Sequence, residues 1–514
     1  MSEGAAAAVL AIDVGTTALK AAVYDERGQL LGEASREYQL ATPRPGWVEL
    51  SCDAYWETLK ASLAALWALP AVDPGAIAAI GISAQGETMV PVGAAGEPLR
   101  DAIVWLDSRA GEEAAELADR LGGDRFYEVT GQPEMLAAWP AAKVLWLNRH
   151  EPEVAEATHR YLLIEDYLTF RLTGEYVTEG SQATSTCYWD FRAKAWWPEM
   201  LAAIGIGVEQ LPELVEPGAP LGRIDAGAAA ELGVSPRAVV CAGALDQACG
   251  AIGAANTTAG GFSENTGAAI ALCATLDQAR LDPRRAMPCH YHGIPDSYMF
   301  HTFTSGGIVL RWFRDRFYTE AGELAGEGEE DAYDRLAALA AEVGPGADGL
   351  VMLPHLQGAM APENNDAARG ALVGLTLGHG RGHVMRALME SIAFVVRRNV
   401  ETMSALGVQI DSVRALGGGS RSSLWKQIEA DVLGLPVVVM EQSDAGALGA
   451  AILAGVGIGW WQDPAEGAAA VVREARVFEP DPANRALYQE LYAIYRSCYE
   501  ALVPSFDQLA KRAV

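Results

Sequence analysis

No CxxC pair occurs in this chain, and its seven cysteines, Cys52, Cys187, Cys241, Cys249, Cys273, Cys289 and Cys498, follow no regular spacing. An odd, scattered set argues against a disulfide framework and fits reduced thiols in a cytosolic protein. Long apolar runs are missing too. None reaches about 18 residues, so no membrane-spanning helix is expected, and no charged-then-apolar leader precedes the first apolar segment, which points to a cytoplasmic location. Positive charge is scarce: 38 Lys and Arg stand against 67 Asp and Glu, a formal net charge of −29. That balance argues against nucleic acid or an anionic membrane as partner. A phosphate-bearing small molecule stays compatible, because backbone amides and a metal ion can hold it locally.

What is present begins with length, 514 residues, half of them hydrophobic, enough for about two to four domains with sizeable cores. Val9 to Val14 runs apolar up to Asp13, then Gly15-Thr16-Thr17 interrupts, and Ala18 to Tyr24 alternates toward a turn at Asp25-Glu26-Arg27-Gly28. The pattern predicts a β-hairpin with chemistry at its tip. Gly15 leaves its amide open to an anion, and Thr16 and Thr17 add hydroxyls, so the turn can hold phosphate oxygens. Asp13 would repel a bare phosphate, which suggests that it faces a divalent cation, most simply through Mg²⁺-bound water. An ordinary glycine turn is the alternative.

Further along, Leu30 to Tyr38 reads as a third strand, and Asp53 is placed to cap a helix bearing Trp56, Leu59, Leu63 and Leu66. Ile77 to Ile82 reads as a buried strand that ends in Ser83-Ala84-Gln85-Gly86-Glu87-Thr88. Polar residues at such a strand end are where α/β proteins hold ligands, so Gln85 and Glu87 are candidates for binding hydroxyls, or members of a hydrogen-bonded turn. Trp105, closing the short strand Ala102 to Trp105 ahead of Asp107 and Arg109, is suited to cover an apolar sugar face or to sit in a core. Trp196 and Trp197 read as packing. Ala238 to Ala244 is another buried strand, running into Leu245, Asp246 and Gln247 and the small-residue run Ala248 to Ala255. There Asp246 is either a helix cap or a general base.

From Gly260 the chain starts again. Phe262 to Thr266, the turn at Gly267 and Ala268 to Leu272 echo residues 9 to 23, predicting two similar lobes with a boundary near 250 to 260. Ser305-Gly306-Gly307 opens a helix whose N-terminus favours anions. Ala321 to Asp331 reads as a surface loop. Val413 to Leu416 enters the triple glycine Gly417-Gly418-Gly419, ahead of Ser420, Ser422 and an amphipathic helix. Cys289-His290-Tyr291-His292 lacks further ligands at zinc spacing. The apolar C-terminal helix through Leu487, Leu491, Tyr495 and Tyr499 packs either internally or against a second copy, as a homodimer.

Taken in order, these motifs resemble the FGGY family of carbohydrate kinases from near residue 8 to about 500. The resembling stretches are Asp13 to Thr17, Pro140 to Leu147, Asp246, Asn265-Thr266-Gly267, Gly370 to Leu375 with His383, Ala387 and Glu390, and Gly417 to Ser420. Within the family the chain looks most like the xylulokinases, with features of the glycerol kinases. The resemblance implies an α/β fold of two ribonuclease-H-like (actin-like ATPase) lobes, residues 1–253 and 254–514, around a central cleft. The first lobe would carry the sugar and one phosphate loop, the second the nucleotide. It further implies ATP and Mg²⁺ as cofactors, Asp246 as catalytic base, and Gln85, Gly86, Glu87, Trp105, Asp246 and Gln247 around the acceptor. Gly15, Thr16, Thr17, Thr266, Gly267, Gly307, Gly418, Gly419 and Ser422 would hold ATP, with Asp13 on Mg²⁺.

The sequence departs from family patterns at the acceptor. Gly86-Glu87 stands where xylulokinases carry Met-His and glycerol kinases carry Arg-Glu. Gly86 is therefore expected to leave room for an acceptor longer than glycerol. Gly358-Ala359-Met360-Ala361-Pro362 replaces the Gly-Glu-Arg-Thr-Pro of many relatives. The expected acceptor is a ketopentose such as xylulose. The alternatives are a glycerol or tetritol kinase, and a non-catalytic nucleotide-gated binding protein.

Overall fold

The computed structural model describes residues 7–317, 329–442 and 444–512. Two seven-stranded sheets organise them. In the first lobe, β1 (Ala8–Val14), β2 (Ala18–Asp25) and β3 (Leu30–Glu37) form an antiparallel meander, α1 (Cys52–Trp67) follows, and β4 (Ile77–Ala84) inserts parallel to β1. After α2 (Pro140–His150) come β5 (Pro220–Arg223), β6 (Val239–Cys241), β7 (Ala244–Leu245) and α3 (Asp246–Gly253). The sheet order is β5-β6-β4-β1-β2-β3, with β7 also on β4.

The second lobe repeats the plan. β8 (Phe262–Thr266) and β9 (Ala269–Leu276) form the hairpin, then come β10 (Cys289–Tyr291), β11 (Tyr298–Ser305), α4 (Gly307–Phe317), α5 (Arg381–Ala405) and β12 (Val413–Gly417). α6 (Ser423–Leu433), β13 (Val437–Met440), α7 (Ala445–Gly457), β14 (Glu474–Phe478) and α8 (Arg485–Ala510) complete it, in the order β10-β11-β9-β8-β12-β13-β14. In both lobes a tight hairpin is flanked by a parallel strand: β4 on β1, β12 on β8. The echo read in the sequence is therefore an echo of topology, and the whole is the actin-like, ribonuclease-H-like arrangement.

Between the sheets lie α3 and α7, both rich in alanine and glycine. A Cβ on Gly449 would come within 1.9 Å of the Cys249 carbonyl oxygen, one on Gly253 within 2.0 Å of that of Ala445, and one on Gly81 of β4 within 2.3 Å of that of Ala450. The two backbones thus touch directly, and α7, although it comes late in the chain, lies on the first lobe's sheet in one cluster with Val9, Ala11 and Ala79.

Several details differ from expectation. Asp53 lies inside the first turn of α1, and Ser51 occupies the cap position. The strand before Trp105 stops at Ile103, leaving Trp105 in the turn beyond. Most of the loop expected at Ala321 to Asp331 lies outside the described residues, and residues 329–331 begin a helix, Glu329–Ala341. The C-terminal helix α8 packs internally, burying Tyr488, Leu491, Tyr492, Tyr495 and Phe506. Among the described residues no helix is long and apolar enough to cross a membrane.

Gly449→Ala is expected to cost about 1–3 kcal/mol through overpacking, read as a lowered thermal midpoint. Gly250→Ala, on α3 but with nothing within 4 Å of its Cβ position, should leave the midpoint unchanged or raise it.

Candidate functional site

The first hairpin turn forms where its sequence suggests, but the Gly15 amide expected to stay open to an anion is used to close the turn. Gly15 N–H donates to the Ala18 carbonyl at 3.0 Å, and the Tyr38 hydroxyl donates to the Gly15 carbonyl. Trp105 is exposed and its indole Nε1–H donates to Thr16 Oγ1 at 2.9 Å, so the ring is neither core nor isolated. Its backbone N–H donates to Thr88 Oγ1 at 3.2 Å, so Trp105 ties the turn to the loop that follows β4. Thr17 is exposed and contributes its carbonyl to Tyr38 N–H.

Asp13 sits at the end of β1, where Ser83 Oγ donates to its Oδ1 at 2.6 Å. Burial, followed by the charge of Asp444, raises its carboxyl to about 6, against the pull of Ser83 and Lys20. Lys20 in turn pairs with Asp444 at 2.5 Å. Asp246 is the first residue of α3 and Leu245 holds the cap position, so the helix-cap alternative for Asp246 falls away. Its Oδ1 accepts the Gln247 N–H at 2.8 Å. Burial raises its carboxyl to about 8, with Asp13 and Glu87 adding repulsion. Asp13, Gly15, Asp246, Gln247 and Asp444 line one cavity of about 150 Å³ with Asn265 of the second lobe.

A second cavity, of about 630 Å³, collects the other group: Thr266, Gly267, Gly307, Gly418, Gly419 and Ser422. Glycine is required at two of these positions. A Cβ on Gly307 would stand 2.7 Å from the Gly267 carbonyl oxygen, and one on Gly419 would stand 2.4 Å from Thr266. Ser422 caps α6 through Trp425 N–H. Asn265 and Thr266, neighbours on β8, face the two cavities in turn, as strand alternation dictates.

The β4 loop holds the acceptor candidates. Gln85 is buried, its amide donating to the Tyr55 hydroxyl at 3.2 Å while its Oε1 has no partner among the described residues. Glu87 adopts φ +57°, a left-handed conformation that a loop must enforce. Lys143 enforces it. This lysine is fully buried in α2 and donates to the carbonyls of Glu87 at 2.9 Å and Val104 at 3.1 Å. Burial pushes the lysine down and the Glu87 carboxyl up, and each charge partly restores the other. Carbonyls only accept, so they favour the ammonium form. Gly86 differs from expectation: a Cβ there would meet Leu245 and Ser185 at 2.9 Å. The space opposite it is filled, and glycine does not open a larger pocket.

Sequence reasoning assigned no role to Lys143, Ser83, Lys20 or Asp444. For Lys143 a signal existed, a lone lysine in the otherwise apolar Pro140 to Leu147. The others act through pairings across strands and lobes that spacing does not reveal. His290 and His292 are buried and held below the usual imidazole range by desolvation. Among the described residues no three His, Cys, Asp or Glu side chains gather closely enough to hold a metal alone. Asp13, Asp246 and Asp444 do supply hard oxygen donors, which suit Mg²⁺ held through waters and phosphate oxygens.

Comparison with known proteins identifies the family. The N-terminal domain of the FGGY family of carbohydrate kinases matches residues 8–253 and the C-terminal domain residues 271–458. The xylulose kinase of Bacillus subtilis is 30% identical over 96% of each chain. Two solved structures from Lactobacillus acidophilus each superpose with a TM-score of 0.88 at 28% identity. One is a ligand-bound xylulose kinase, covering 98% of this chain and 99% of that one; the other is a gluconate kinase, covering 98% and 100%.

The pH dependence of stability follows from Asp246. Its folded carboxyl holds a proton more tightly than the ordinary group at 3.8. Its contribution to stability is thus complete below that value and drains as pH rises through about 8. Without ligands, the wild-type midpoint should fall more steeply between pH 5 and 8 than that of Asp246→Asn, which should be the more stable at pH 8. Parallel slopes in a buffer-matched thermal scan would contradict the half-buried, crowded carboxyl.

Proposed function

Because the chain belongs to the FGGY family of carbohydrate kinases, and so is a phosphotransferase with an alcohol group as acceptor, we propose that it transfers the ATP γ-phosphate to a hydroxyl of a ketopentose such as xylulose. Family membership removes the non-catalytic binding-protein alternative. The observation that carries the proposal is Asp246, a carboxyl raised to about 8 in the cavity that Asp13, Gly15 and Asn265 also line.

In this reading residues 1–253 carry the acceptor and residues 254–514 the nucleotide. Gln85 Oε1, Glu87, Trp105 and Gln247 face the acceptor's hydroxyls and its apolar side. Gly86 keeps the loop close to Leu245. The hydroxyls of Thr16, Thr17 and Thr266 hold phosphate oxygens at turns shaped by Gly15 and Gly267, whose own N–H groups donate to the Ala18 and Ala269 carbonyls, and Gly307, Gly418, Gly419 and Ser422 receive the nucleoside. Bound Mg²⁺, held by Asp13 through water, would neutralise phosphate charge and favour ionised carboxylates beside it. Asp246 then orients the attacking hydroxyl and takes its proton late in a loose transition state. A carboxylate raised by burial and neighbours is a better proton acceptor than one at the ordinary value.

A glycerol or tetritol acceptor is the second reading. It is favoured by Glu87, which matches the glycerol-kinase pattern, and by the filled space opposite Gly86, which removes the argument for a larger pocket.

Asp246→Ala should lower turnover by about 10²–10⁴-fold, the range of a general base, while changing ATP affinity less than about threefold. A coupled ADP-release assay against pentuloses, hexuloses, gluconate, glycerol and tetritols reads both the variant and the acceptor. Near-normal turnover in a folded variant would refute the assignment of Asp246, and stimulation by polyols alone would replace the ketopentose.

A further inference from the structure

The acceptor loops discussed so far all belong to the first lobe, yet the cavity at Asp246 is closed on its other side by β8 and β9. Ser263, Asn265, Ala271 and Cys273 line it there. β11 pairs antiparallel with β9, setting Phe303 opposite Ala271 and His301 opposite Cys273. Residues paired in this way share a face, so both rings stand on the cavity side of the sheet, about 5 Å beyond its lining.

Two features there are unexplained by packing. Phe303 is 41% exposed, a large apolar ring on a cleft wall, and His301 meets it edge-on at 4.7 Å between centroids. His301 is itself only 7% exposed, and its Nε2 has no hydrogen-bond partner among the described residues. A buried ring nitrogen is costly to leave without a hydrogen bond. On its other side His301 packs against His290 at 5.6 Å, and His290 lies 3.4 Å from the amide of Gln132, a first-lobe residue. The group therefore spans both lobes. His301 faces His290, Phe303 and Cys273, and desolvation keeps it uncharged.

Resting on the carbohydrate-kinase reading above, we propose that His301 and Phe303 form the second lobe's wall of the acceptor site. Phe303 covers the C–H face of an acceptor longer than three carbons, and His301 Nε2 bonds a hydroxyl distal to the reacting one. An aromatic ring beside a single fixed polar atom is how protein sites grip sugars, whose faces are apolar and edges polar. An acceptor anchored at Asp246 must extend one strand sideways to reach these rings. Glycerol is too short to do so, and an acceptor of four or more carbons is not. Lobe closure would then be sensed by the acceptor through both walls.

The test compares acceptors in His301→Ala, His301→Gln and Phe303→Leu. For the preferred acceptor of the wild type, provided that it has four or more carbons, His301→Ala should raise KM about tenfold, the equivalent of one hydrogen bond. His301→Gln should recover much of this. Phe303→Leu, at an exposed position that should tolerate the change, should raise the same KM severalfold. KM for ATP and the constants for glycerol should change less than twofold in all three. Equal losses for glycerol and the longer acceptor, or an unchanged KM for the longer one, would overturn the assignment even if the kinase reading stands. A wild type that phosphorylates only glycerol would overturn both this wall and the ketopentose. Acceptor-induced thermal stabilisation supplies a second readout: a His301→Ala variant still stabilised as strongly as the wild type refutes the contact.

Discussion

The contact of bare backbone between α3 and α7 sets the distance between everything else. Gly449 faces the Cys249 carbonyl and Gly253 that of Ala445, with no side chain between. Glycine interfaces of this kind exchange side-chain contact for proximity, and proximity is what the cleft needs. α3 begins with Asp246. Gly446, in the first turn of α7, lies so close to Asp13 that a Cβ would stand 3.3 Å from its carboxylate oxygens. Asp444 caps the same helix. One crossing thus fixes three carboxylates from three distant parts of the chain.

That placement creates an electrostatic problem whose solution is incomplete within the protein. Ser83 donates to Asp13 and Lys20 pairs with Asp444, but among the described residues Asp246 has only its neighbour Gln247 as hydrogen-bond partner. Burial therefore raises both Asp13 and Asp246, with Asp444 adding repulsion at Asp13 and with Asp13 and Glu87 adding it at Asp246. A chain with so large an excess of acid gains nothing in stability from gathering more of it in a cleft. Such clusters persist where a cation or a proton in flight relieves them. The same repulsion that weakens the empty fold raises the basicity of the group proposed to accept the proton.

Much of this was legible in the sequence. The first hairpin, its repeat after Gly260, and the glycine turn after Val413 all announce themselves by local rules, because a strand ending in Asp-x-Gly-Thr or Gly-Gly-Gly has few other ways to fold. The compactness of α3 and α7 was visible as runs of Ala and Gly. Other features were invisible for a physical reason. That Gly86 faces Leu245 and Ser185 is a fact about what packs opposite a loop, and spacing cannot supply it. That Trp105 bonds Thr16 joins positions 89 residues apart. Lys143 stood out as a lysine among apolar residues, but only the fold shows its ammonium stitching the carbonyls of Glu87 and Val104.

Acceptor choice follows the same logic. A motif such as Gly86-Glu87 describes two side chains on one wall, while a pocket between lobes has two walls. The second is built by β9 and β11, whose inward faces are set by register. Ala271 and Phe303 form one paired step, and Cys273 and His301 the next. In the proposed site, small residues on β9 leave depth for the acceptor, and rings on β11 close it off one strand further. Relatives of similar overall shape differ in the acceptors their names carry, xylulose in one and gluconate in another. The backbone is thus common property, and discrimination must lie in the side chains that meet across the cleft. A hydrogen bond that an acceptor completes with a buried, otherwise unpaired nitrogen separates acceptors that differ by one hydroxyl more sharply than added volume would. On that argument the unpaired nitrogen of His301 bears on selectivity more directly than the glycine at position 86.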